Sequence, residues 1–165
     1  MERTQKDHFS MITWITEQVA IGDADDSRGI TQEKFEAALN VAVDLDICDK
    51  VDPEVRNFNV RRHKAGLLDG AGNHPFMLVA AVLMLEGLVS QQKRVLVHCQ
   101  AGQSRSVMVV SAWMAFKGLT TLDDALAKNL AIRKVDMYRD SMYALAVSAL
   151  DLLKKLHQQT NTQKG

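Results

Sequence analysis

His98-Cys99-Gln100-Ala101-Gly102-Gln103-Ser104-Arg105-Ser106 brings a thiol, a guanidinium and hydroxyl groups into one short stretch. Arg94-Val95-Leu96-Val97 before it reads as a buried strand, and Ser104 to Met114 after it reads as a buried helix. A strand, a tight turn and a helix start therefore meet at one cysteine. The first N–H groups of a helix lack intrahelical partners and carry partial positive charge, and a loop containing Gly102 can curl its own N–H groups toward the same point. Such a place binds anions. A free cysteine titrates near roughly 8.5, and a helix N-terminus or nearby cation lowers that to about 3.5–7.5, so Cys99 is expected as a thiolate at neutral pH. Arg105 closes the loop with a planar fork of N–H donors that matches two phosphate oxygens at once, which lysine would not do. The expected chemistry is attack of sulfur on phosphorus, with Gln100, Ala101, Gly102, Gln103 and Ser104 forming the phosphate-binding loop.

A cysteine, five residues and an arginine, with histidine before and serine after, resembles the signature of the cysteine-dependent protein tyrosine phosphatases. The wording His-Cys-x-Ala-Gly-x-Ser-Arg-Ser is most similar to their dual-specificity branch. The resemblance extends over most of the chain, through the hydrophobic-Gly-Asp step at Ile21-Gly22-Asp23, Leu39-Asn40-Val41 and Leu67-Leu68-Asp69-Gly70. It implies an α/β fold of the protein tyrosine phosphatase-like, dual-specificity type, with a central mixed sheet flanked by helices. It also implies a general acid on a loop about thirty residues before the cysteine, and Asp69 precedes Cys99 by thirty. Most Asp-Gly pairs are plain turn residues; against Asp46, Asp123 and Asp136, Asp69 still ranks first. For Ser106 the resemblance implies a hydroxyl that hydrogen-bonds the sulfur and helps it leave; its ordinary role would be a first-turn helix serine. His98 faces away from the cradle if Cys99 faces in, so it is expected to orient the loop and not to exchange protons.

The elements that must hold these groups follow in chain order. Residues 1–8 are expected as a flexible N-terminus, 9–157 as a single phosphatase domain and 158–165 as a flexible tail. Ile12 to Ile15 and Val19 to Ile21 read as a first hairpin, and Asp23, Asp25 and Asp26 as a solvated loop in preference to a metal site. Thr31 can cap a short helix through Ala38, and Asn40 to Ile47 alternates as a strand. Phe58-Asn59-Val60 resumes alternation before the basic run Arg61-Arg62-His63-Lys64, which reads equally as a charge-protected edge strand or a substrate-facing patch. The glycines of 67–73 make a mobile turn, and Asn73 or His74 with Pro75 starts a helix through about Gln91. Because that helix is apolar nearly all round from Phe76 to Leu85, it should be buried. Thr120 or Thr121 caps a helix through about Leu130, and Met142, Leu145, Ala146, Ala149, Leu152, Leu153 and Leu156 mark one face of a final long helix.

Composition narrows the function classes. A chain of 165 residues, 47% hydrophobic, supports one cored domain and not two ordinary ones. Lys plus Arg and Asp plus Glu balance at 20 each, so no global field recommends nucleic acid or an anionic membrane. No apolar run reaches the roughly 18 residues of a membrane span, and the start is not signal-like. Two cysteines form no disulfide framework, and a nucleophilic thiol suits a reducing compartment, so a cytoplasmic location is expected. Cys48 reads as packed, with a redox partnership to Cys99 as the lesser reading. The histidines show no ligand spacing with the cysteines, so neither metal nor cofactor is expected. A phosphoprotein or phosphopeptide is the expected partner. A phosphoinositide is ranked lower because that branch places lysines where Gln100 and Gln103 stand. RNA 5′-phosphate and phosphoglucan substrates, a rhodanese-like sulfurtransferase and a phosphopeptide-binding module are the remaining alternatives.

Overall fold

The computed structural model describes residues 12–45, 60–101, 104–134 and 140–162. Five strands form one sheet: β1 (Thr13–Trp14), β2 (Val19–Gly22), β3 (Ala37–Ala42), β4 (Arg61–Leu67) and β5 (Val95–His98). The order across the sheet is β1-β2-β5-β3-β4. β1 runs antiparallel to β2, and every other pairing is parallel, so the sheet is mixed. β5 is the middle strand and is buried throughout, and the loop that carries Cys99 leaves its carboxyl end.

Period-two alternation divides the interior. Val19, Ile21, Ala37, Leu39, Val95 and Val97 face a large core shared with α2 (Pro75–Ser90), α3 (Arg105–Phe116), α4 (Leu122–Arg133) and α5 (Asp140–Thr162). Ala20, Ala38 and Leu96 face a smaller core closed by Ile30, Phe35 and Val60, beside α1 (Ala24–Gly29). Arg94 joins the entries of two central strands: its Nη2 and Nε bond the Glu36 carboxylate at 2.7 and 3.0 Å.

Several boundaries differ from the sequence reading. Residues 31–38 form no helix. Thr31 accepts from Lys34 and Phe35 in a single turn, and Ala37 and Ala38 already lie in β3, because burying Phe35 under the sheet is worth more than extending one turn. The helix lies earlier, where Asp23 accepts from the Asp26 N–H at 2.7 Å and Asp26 accepts from the Asp23 N–H at 3.0 Å. This reciprocal cap replaces the expected solvated loop, and Asp26 is buried. The basic run is itself β4, an edge strand. α2 is buried on one side only: Phe76 and Leu83 are exposed, because the helix belongs to an outer layer. His74 caps α2 and Thr121 caps α4. α5 continues through residues 158–162, which their polar composition had assigned to a loose tail. Residues 1–8, Cys48, Phe58 and Asn59 lie outside the described residues, as do Asp46 and Asp136.

Candidate active site

The site begins where β5 ends. Cys99 is 3% exposed, and its Sγ lies 3.3 Å from the Oγ of Ser106, which is fully buried in the first turn of α3. That hydroxyl can donate to a sulfur anion. Gln100 and Ala101 are exposed, and the Gln100 carbonyl accepts from the Ala24 N–H at 3.0 Å, so the start of α1 pins the outer side of the loop. Gly102 and Gln103 lie outside the described residues. Ser104 precedes α3, and its Oγ donates to Asp69 Oδ1 at 3.2 Å.

His98 occupies the opposite face of β5, with Leu96, and is 1% exposed. Burial pushes its pKa down to about 4, and the nearby Arg62 and Arg28 push the same way, against the Cys99 carbonyl and Asp26. Its Nδ1 lies 3.4 Å from the Cys99 carbonyl oxygen. Since a carbonyl only accepts, a neutral imidazole carries its proton on Nδ1 and bonds the backbone of the cysteine.

Arg105 is buried at the start of α3, where its Nη1 donates to Asp44 Oδ1 at 2.6 Å and to the Leu67 carbonyl at 3.1 Å. Its Nε is buried with no hydrogen-bond partner among the described residues. The guanidinium holds the Asp44 carboxyl below the usual carboxylate range, and a backbone N–H adds to this. The turn carrying Asp44 is tightly specified. Asn40 Nδ2 donates to the Leu45 carbonyl at 2.7 Å while its Oδ1 accepts from the Ala42 N–H at 2.9 Å. Lys64 Nζ reaches the same Leu45 carbonyl at 2.9 Å. Gly66 is required beside it, because a Cβ there would lie 2.7 Å from Val43 Cα.

Asp69 lies on the loop between β4 and α2. The stretch that reads as a mobile turn is tied by Asn73: its Oδ1 accepts from the Leu68 N–H at 2.8 Å, and its Nδ2 donates to the carbonyls of Leu68 at 2.8 Å and Gly70 at 3.2 Å. Gly70 and Gly72 hold φ values of 106° and 98°, which only glycine adopts without strain. The loop therefore presents Asp69 to Ser104. Of the rival acids, Asp123 accepts from the Tyr143 hydroxyl at 2.7 Å, at the start of α4.

Sequence reasoning brought Cys99, Ser104, Arg105, Ser106 and Asp69 to attention, and all five lie in one neighbourhood. It missed Asp44, which sits unremarked among the alternating residues of its stretch and bonds Arg105. Arg133 is 6% exposed, and its Nη1 donates to Thr13 Oγ1 at 3.0 Å and to the Ile21 carbonyl at 3.4 Å. Burial lowers its pKa, and the acidic groups Asp26, Asp23 and Cys99 oppose that. Two residues of the basic run are fixed by hydrogen bonds. Arg62 bonds the Ser27 hydroxyl and carbonyl at 2.8 and 2.7 Å, and Lys64 supports the Asp44 turn. Among the described residues no group of three His, Cys, Asp or Glu is placed to hold a metal ion, and no helix is long and apolar enough to cross a membrane.

The family model for the dual specificity phosphatase catalytic domain matches residues 22–143. The chain belongs to that family. No curated protein sequence matches it. Among solved structures, the fold is similar to a mouse protein described as a putative dual specificity phosphatase, in complex with zinc tungstate, at 19% identity and a TM-score of 0.72, covering 93% of this chain and 95% of that one. Tk-PTP in its active form is similar at 20% identity and a TM-score of 0.64, covering 86% and 97%. Human DUSP28 is similar at 17% and 0.69, covering 87% and 95%. These structures share the fold, and the family match makes this dual specificity phosphatase domain a cysteine-based phosphoric monoester hydrolase.

Proposed function

We propose that this phosphatase acts on phosphotyrosine and phosphoserine or phosphothreonine in proteins, through a phosphocysteine intermediate. The observation that carries the mechanism is Ser106 Oγ at 3.3 Å from the Cys99 sulfur; Arg105, whose Nε has no partner among the described residues, and Ser104, which bonds Asp69, precede that serine in the chain. In the first step the Cys99 sulfur attacks phosphorus, the bond to the leaving oxygen breaks, and Asp69 gives that oxygen a proton. In the second step water attacks the phosphocysteine, Asp69 takes its proton, and the sulfur leaves as an anion that Ser106 can hydrogen-bond. Backbone N–H groups of the loop and the Arg105 fork hold the phosphoryl oxygens as charge moves. His98 fixes the backbone of the nucleophile.

Protein substrates are favoured over inositol polyphosphates because Gln100 and Gln103 stand where lysines would meet additional phosphates. A thiol nucleophile keeps its function in a reducing compartment, which favours the cytoplasm. Hydrolysis of para-nitrophenyl phosphate with chelator present tests the mechanism. Wild type should turn over, and Cys99→Ser should fall to background. Activity that needs added metal, or that survives the substitution, defeats it. A panel of phosphopeptides and inositol phosphates tests the substrate class, with preference for the peptides expected.

A further inference from the structure

We propose that Asp44 is a positioning residue for Arg105: by holding one corner of the guanidinium it leaves the Nε edge to meet a phosphoryl group. The inference rests on Arg105 being the phosphate ligand. A guanidinium carries five N–H donors in a rigid plane, so fixing any corner fixes the rest. Nη1 is fixed on the outer side, by Asp44 at 2.6 Å and the Leu67 carbonyl at 3.1 Å. Nε is left buried and unpartnered among the described residues, a costly state for a donor on a side chain only 4% exposed. An oxyanion over Cys99 is the ligand that would fill it.

Asp44 itself is 58% exposed, so the core gains little by placing it there. Yet its turn is over-determined. Asn40, Lys64 and Gly66 each fix the segment from Ala42 to Leu45, and the Val43 N–H bonds the Leu67 carbonyl at 3.1 Å, the same carbonyl that receives Arg105. One short carboxylate and one main-chain oxygen are thus presented together to a single nitrogen. A surface ion pair would not require such a frame.

The test compares Asp44→Ala, Asp44→Asn and Asp44→Glu with wild type, by calorimetric tungstate binding and by kcat and KM for para-nitrophenyl phosphate. The Asp44→Ala comparison is repeated in an Arg105→Lys background. Asp44→Ala should weaken tungstate binding and lower kcat/KM by about tenfold to a hundredfold, the scale of a misplaced binding group. Asp44→Glu should restore most of the loss, and Asp44→Asn should lie between. In the Arg105→Lys background, removal of the carboxylate should matter by less than about twofold, since there is no fork left to position. Wild-type values in Asp44→Ala, tighter tungstate binding, or an equal loss in both backgrounds would overturn the proposal. Tighter binding would mean that the carboxylate competes with substrate. If wild type bound tungstate but did not hydrolyse the ester, the catalytic reading would fail, while the binding comparison would still decide the role of Asp44.

Discussion

Ser106, His98 and Arg105 lie within the packed interior at 0%, 1% and 3% exposure, whereas Asp69 stands at the surface on a loop held by hydrogen bonds from Asn73 and Ser104. The first group shares its contacts with the sheet and α3, so whatever folds the protein also assembles that half of the site. The second depends on a few polar bonds that the core does not need. The surroundings of Cys99, the proposed nucleophile, are therefore inseparable from stability, while Asp69, the proposed acid, can be moved or lost in a chain that remains folded. That separation can be broken experimentally from either side.

The largest expected effect is on rate alone. Asp69→Asn should lower kcat for aryl phosphates by about 10²–10⁴ and leave the thermal midpoint unchanged; a marked fall in the midpoint would mean the acid loop belongs to the core after all. The counterpart on the buried side is a stability effect. His98 resists protonation down to about 4 in the fold, against 6.5 for an ordinary histidine. Between those values the unfolded chain binds more protons. Its contribution is thus complete above about pH 6.5 and is eroded as pH falls toward about 4, by at most about 3 kcal/mol. Urea unfolding near neutrality and near pH 5 should show the decline, and His98→Asn should flatten it; a slope unchanged in the variant would assign it to other groups. The smallest effect belongs to the bond joining the two halves. Ser104→Ala removes one exposed hydrogen bond to Asp69, of order 0.5–1.5 kcal/mol, so kcat should fall about two- to tenfold with no loss of stability.

What could be read from the chain follows the same division. The strand and helix around Cys99 were legible because the pattern is local: Val95 to Val97 enter the core, and Arg105 to Met114 are buried. The hairpin of β1 and β2 and the caps at His74 and Thr121 were legible for the same reason. Residues 31–38 misled because a capping threonine signals a helix start whether or not the chain continues, and the pull of Phe35 into the smaller core is not a local property. The cluster Asp23, Asp25 and Asp26 looked solvated because a reciprocal cap and an acidic loop share a composition. Asp44 was not legible as a site residue at all. Its meeting with Arg105 depends on the parallel pairing of β3 with β5 and on the packing of Gly66 against Val43.

The bond between the Ala24 N–H and the Gln100 carbonyl ties together segments that are remote along the chain. Their approach is held by the parallel register of β2 against β5, which places Gly22 opposite His98. Helix α3 and Cys99 come from one stretch of the chain, whereas the group that pins Gln100 comes from the start of α1. A substitution that disturbed the pairing of β2 with β5 would therefore also release the Gln100 end of the loop, without touching any residue of the loop itself.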